Sequence, residues 1–129
     1  MHVATGAAAG AAAGSRTKAA LLGLVLHAAG DAVPHEDFES LPFEVGSGVA
    51  LLGLLAARRG ATDSAVVGGL FCALPDVEHV IPRPGHDGPK RFPSHRIEGW
   101  HREGGITAPL QLLLALVIVG LVARRRKEP

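Results

Sequence analysis

The chain has no tyrosine, one tryptophan and four phenylalanines in 129 residues. A water-soluble core of this size normally draws on large side chains for its buried area, so their scarcity points to packing of another kind. Cysteine is nearly absent as well. The single Cys72 excludes an internal disulfide framework and any cysteine-cluster zinc site; lying in an apolar run, it reads as a small buried hydrophobe. An excess of one charge is also missing: the formal net charge is +1. Nothing in the bulk charge draws the chain to nucleic acid, and no nucleic-acid partner is expected.

What is abundant is alanine, leucine and valine, with 17 glycines. These residues are gathered into runs at 3–14, 19–34, 45–57, 65–74 and 106–123. The runs are apolar nearly all round and show no strand-like alternation, so they predict helices. Small residues in such helices allow close backbone approach, a habit of membrane proteins. The expected fold is therefore all-α: a compact multi-helix transmembrane bundle of four to five short helices. Residues 1–129 form a single membrane-embedded domain, and residues 81–105, with four prolines, form an external polar loop within it. Most runs fall short of the roughly 20 residues of an unaided span, so tilt, mutual packing and local thinning must compensate. Two alternatives use the same runs: a soluble bundle with apolar core helices, and a signal peptide with Arg16 and Lys18 before its apolar stretch.

If the chain crosses at each run, the charges sort themselves. One side collects Arg16, Lys18, Arg58, Arg59 and the 124–127 cluster, eight basic residues against two acidic ones. The other side collects five basic and ten acidic residues. Basic residues favour the cytoplasm, which places the C-terminus inside and the long loop outside. An integral membrane protein, with the lipid bilayer as its partner, is the expectation. Trp100 reads as an interfacial anchor.

This topology brings scattered histidines to one face. His2 opens the first helix; His35 follows the second; Asp76 and His79 close the fourth; His86, His95 and His101 lie in the outer loop. His27 lies deeper. His27, Asp31 and His35 are spaced i, i+4, i+8, a single stripe if the helix continues through Pro34. Asp76 and His79 are i, i+3 and share a face. Imidazole with carboxylate is the ligand chemistry of zinc, iron and manganese sites, and ionisable groups in a membrane segment are functional candidates by default. The candidate metal ligands are His2, His27, Asp31, His35, Asp76, His79, His95 and His101. The expected cofactor is a divalent metal, zinc first, with manganese or iron as alternatives. A simple His27–Asp31 hydrogen bond without metal is the competing structural explanation, and His86 reads as ordinary loop.

Several of these motifs resemble the small membrane-bound metal-dependent hydrolases, the YdjM-like proteins of bacterial inner membranes. The resemblance is carried by His2 ahead of an Ala/Gly-rich helix, by Leu74-Pro75-Asp76-Val77-Glu78-His79 at a helix end, and by His95-Arg96 with His101 before the final helix. Related membrane proteins also carry a His-x3-Asp-x2-Pro-His element, seen here from His27 to His35. The resemblance implies metal-dependent hydrolysis in a bacterial inner membrane; the location of the site at a membrane face suits a lipid-derived or small phosphoester as substrate. Glu78 or Glu98 is then the expected general base, and Arg96 and Arg102 the expected anion holders. A non-catalytic membrane protein, binding metal or a partner complex, is the alternative function.

Overall fold

A computed structural model describes residues 1–81 and 90–124. His86 and the basic residues Arg125, Arg126 and Lys127 lie outside the described residues. The described chain is all-helical, with no strands. Five longer helices match the five apolar runs: α1 (His2–Ala12), α2 (Arg16–Asp31), α3 (Leu41–Arg59), α4 (Ser64–Ala73) and, last, α7 (Ala108–Ala123). A 3-10 turn (Leu74–Asp76) and the one-turn helices α5 (Val77–Val80) and α6 (Pro93–Arg96) lie between α4 and α7.

The helix starts follow local chemistry. Ser15 accepts from the Lys18 N–H, Ser40 from that of Phe43 and Asp63 from that of Ala65, each satisfying a donor left free by the first turn. α2 ends at Asp31, so His35 lies past the helix. The expected His27–Asp31–His35 stripe therefore holds only for its first two members. Pro34 ends that register, and the chain instead pairs with the loop before α7. The His35 N–H donates to the Arg102 carbonyl, Glu36 N–H to Ile106 and Ile106 N–H to Pro34. Gly105, at φ +78°, makes room for this pairing: a Cβ there would strike the Pro34 carbonyl.

Small residues decide how the bundle packs. α1 and α4 lie against each other so closely that a Cβ on Gly6 would strike Cys72 and the Gly68 carbonyl, and one on Gly10 would strike the Ser64 carbonyl. α2 joins the same seam through Gly23, whose Cβ would stand 2.6 Å from the Gly68 carbonyl oxygen. The buried core is accordingly modest in side-chain size: Val3, Ala4, Ala7, Leu51, Leu55, Val66, Ala115 and Val119. Large apolar side chains instead face outward on every long helix except α1, among them Leu21, Val25, Val49, Leu54, Leu113, Leu116 and Leu121.

Among the described residues one helix, α3, is long and apolar enough to cross a membrane, and almost none of it is buried. The sixteen-residue α7 is apolar but shorter. The two ends of the bundle differ in chemistry. At one end Arg59 bonds Asp63 at 2.8 Å and the Val122 carbonyl at 2.9 Å, tying α3, α4 and α7 together near Arg16. The opposite end carries nearly all of the candidate site.

Candidate metal centre

The site is assembled from four parts of the chain. α1 contributes His2 from its first turn, α2 contributes His27 and Asp31 from its last two turns, the 3-10 turn after α4 contributes Asp76, and α6 contributes His95. Gly30 makes room for His2: a Cβ at that position would stand 2.8 Å from the imidazole Cε1.

His27 is fully buried, and its Nδ1 lies 2.7 Å from the Cys72 carbonyl oxygen. A carbonyl only accepts, so the proton resides on Nδ1, and in the neutral ring Nε2 presents a lone pair. His95 repeats the arrangement. Its Nδ1 lies 2.6 Å from a Glu78 carboxylate oxygen, which again fixes the proton on Nδ1. The two Nε2 atoms then face each other at 3.0 Å. Two unprotonated nitrogens at that distance repel each other unless a proton on one ring or a metal ion lies between or beside them. Carboxylates supply the rest of the surroundings. Asp31 Oδ2 lies 3.3 Å from His27 Nε2 and 3.5 Å from His95 Nε2. Asp76 Oδ1 lies 3.6 Å and 3.7 Å from the same two atoms. Around a zinc ion with ligands at about 2.0–2.1 Å, neighbouring ligand atoms of a tetrahedral shell stand about 3.3–3.4 Å apart. The donor types and separations both suit a small divalent cation.

The support around these groups is equally specific. Asp31, almost fully buried, accepts a short hydrogen bond from the hydroxyl of buried Ser94, and its other oxygen lies 3.3 Å from His2 Nε2. The rings of His2 and His27 lie 4.3 Å apart, and Phe92 stands edge-on to His27 at 5.0 Å. Glu78 accepts from the backbone N–H groups of Arg91 and Phe92 as well as from His95. Desolvation by itself would raise its pKa, but these three hydrogen bonds outweigh it and hold the carboxyl at about 2. Such a carboxylate is a weak proton acceptor. Its placement orients His95, in the manner of a carboxylate–histidine–metal relay.

Of the remaining expected residues, His79 forms a candidate ligand group with Asp76 and His95, and the others lie apart. His79 Nε2 lies 3.2 Å from His95 Nδ1, and its own Nδ1 lies 2.9 Å from the Lys90 Nζ. Burial, His95 and Lys90 together lower the His79 pKa. His35 and His101 form a separate, more exposed group. Their Nε2 atoms lie 3.7 Å and 3.6 Å from the same Asp37 oxygen, and their rings meet edge-on at 4.8 Å. His2 stands between the two groups, 6.4 Å from the His35 ring. Glu98, Arg96 and Arg102 are exposed, and none lines the adjoining cavity. Trp100 donates its indole N–H to the Ala28 carbonyl at 2.7 Å, satisfying one of the last free carbonyls of α2.

A cavity of about 810 Å³ opens beside the cluster; its polar lining includes His2, Asp31, Asp76 and His95, the histidines His35, His79 and His101, and Asp37, Glu39, Glu44 and Lys90, and the rest is largely apolar. Ser94, Asp37, Glu44 and Lys90 were not among the expected site residues. Only Ser94 carries a sequence hint, as the neighbour of His95. Comparison with protein-family models, curated proteins and solved structures finds no match for this chain.

Proposed function

We propose that this chain is an integral membrane protein that binds a divalent metal, zinc by preference, and hydrolyses an ester or phosphoester at the outer membrane face. The single observation that carries it is the pair of opposed Nε2 lone pairs on His27 and His95, flanked by Asp31 and Asp76. His27, Asp31, Asp76 and His95 would hold the ion, with His2 completing or exchanging in the shell. A divalent ion there supplies a Lewis acid that polarises a carbonyl or phosphoryl oxygen and makes water more acidic. Glu78 positions His95. Glu39 and Glu44 line the cavity and belong to no His/Asp group; Glu44, on α3, is the one assigned to proton transfer.

Membrane embedding is supported by the apolar outer surface, by α3, and by the split between an arginine-bearing end and a His/Asp end. The YdjM-like resemblance and the charge asymmetry favour a bacterial inner membrane with the C-terminus in the cytoplasm. The second reading, a metal-binding membrane protein without turnover, is favoured by one observation: of the expected bases, Glu78 is committed to three hydrogen bonds and Glu98 lies outside the cavity. Metal analysis of the detergent-extracted protein, followed by assay of the zinc-loaded form on ester and phosphoester panels, separates the two. Stoichiometric metal with turnover supports the hydrolase; stoichiometric metal without turnover supports the binding protein; absence of metal removes both.

A further inference from the structure

We infer that the cleft between α3 and the α4–α5 segment holds the alkyl chain of an amphiphilic substrate, whose ester or phosphoester group then lies at the His27–Asp31–Asp76–His95 cluster. This inference rests on the proposed hydrolase and chooses between its two substrate classes, favouring the lipid-derived over the small soluble one.

The cleft exists because α3 packs at one end only. Its buried residues, Leu51 and Leu55, both lie in its second half, where they join Val3, Val66, Ala115 and Val119 in the core. The first half carries no buried residue, so α3 stands off from the bundle on the side of the metal cluster. Leu41, Val45, Gly48 and Leu52 follow one another at intervals of four, three and four residues, a single helix stripe, and all line the cavity. Leu70, Leu74, Val77 and Ile81 of the α4–α5 segment line it too, as do Val3 and Ala4 of α1. From Leu41 to Leu52 the α3 wall runs about 16 Å. The cavity is continuous with His2, Asp31, Asp76 and His95 at its polar end.

The wall chemistry selects the occupant. The polar side chains within the two stripes are few: Glu44 and Ser47 on α3 and His79 on α5, and the Ser47 hydroxyl donates to the Glu44 carbonyl of its own helix at 2.9 Å. A peptide threaded here would bring an amide every 3.3–3.6 Å or so, more groups than these three side chains can pair. An alkyl chain brings no such demand and gains about 25 cal/mol for each Å² of apolar surface it covers. The carboxylates at the mouth, Asp37, Glu44 and Asp76, disfavour a free polyanion arriving from water, whereas a chain entering sideways from the bilayer avoids that approach. In the reaction water adds across the ester C–O or P–O bond. Its hydroxyl goes to the acyl or phosphoryl side and a proton goes to the departing alcohol.

The test uses zinc-loaded full-length protein in nanodiscs and two chromogenic monoesters with the same head, one acetyl and one long-chain acyl. Gly48→Phe fills the cleft, since the nearest atom to a Cβ there is a Val3 methyl at 3.8 Å; Val45→Trp fills it from one turn away, and circular dichroism checks that both variants fold. The expected result is a kcat/KM at least tenfold higher for the long chain in the wild type. Both variants should lose that preference while keeping acetyl turnover and zinc content. Equal turnover of the two esters by the wild type, or a preference that survives both substitutions, overturns the inference and leaves the hydrolase standing. If neither ester is cleaved, the failure lies with the hydrolase, and binding of an ether-linked lysophospholipid with a fluorescent chain decides the cleft. Binding that drops tenfold or more in both variants supports the chain site; no binding, or equal binding in all three proteins, overturns it.

Discussion

The Nε2 atoms of His27 and His95 stand 3.0 Å apart, while the Nδ1 atom of each ring is tied to an acceptor, the Cys72 carbonyl in one case and the Glu78 carboxylate in the other. Ring orientation and proton location are therefore fixed on both sides before any ion arrives. That is preorganisation of the kind metal-ligating histidines require. It makes the cluster testable one atom at a time.

The first expectation concerns ligand identity. His27→Ala, His95→Ala and Asp31→Ala should each weaken zinc binding by more than about 100-fold, because each removes a ligand where support alone is worth 10–100-fold. His101→Ala should leave the main cluster loaded, since His101 meets Asp37 and His35 rather than His27. Metal content after dialysis against a weak chelator reads the difference; loss of zinc from His101→Ala to the same extent would merge the two groups into one site.

Glu78 and Glu44 should part company. Glu78→Gln removes the acceptor that holds the His95 ring and should cost about 10–100-fold in zinc affinity. Glu44→Gln touches no candidate ligand and should reduce turnover with zinc still bound. Calorimetric titration paired with a turnover assay distinguishes them, and unchanged affinity in Glu78→Gln would remove its positioning role.

Helix packing offers an expectation independent of metal. Gly68→Leu drives a side chain into the Gly6 and Gly10 backbone and should lower thermal stability by the upper end of the 1–3 kcal/mol or so typical of overpacking, or prevent assembly. Gly53→Ala meets nothing within 4 Å and should be neutral or gain a few tenths of a kcal/mol from helix propensity. Thermal unfolding in detergent checks both; similar melting of the two variants would contradict the glycine seam.

Topology is open to reporter fusions. A reporter at the C-terminus should be active on the cytoplasmic side, and one inserted between Pro84 and Pro89, outside the described residues, on the other. A C-terminal reporter active only outside would reverse the proposed orientation and move the His/Asp end to the cytoplasm.

The sequence by itself determined where the helices run, because an apolar run without alternation has few other ways to satisfy its backbone. It determined their close packing, because glycine and alanine leave nothing else to pack with, and it marked one bundle end as basic and the other as rich in histidine and acid. It signalled His27 with Asp31, whose spacing of four residues places them on one helix face. Tertiary structure decided the rest. That His27 meets His95, 68 residues away, that Ser94 braces Asp31, and that Glu78 spends its carboxylate on His95 and two backbone N–H groups all depend on how α6 docks against α2, which no local spacing encodes. The expected stripe failed at His35 because Pro34 ends the helix and the chain turns to pair with residues 102–106. The cleft is likewise tertiary: α3 carries apolar side chains in both of its halves, and only its packing shows which half is held and which is left open.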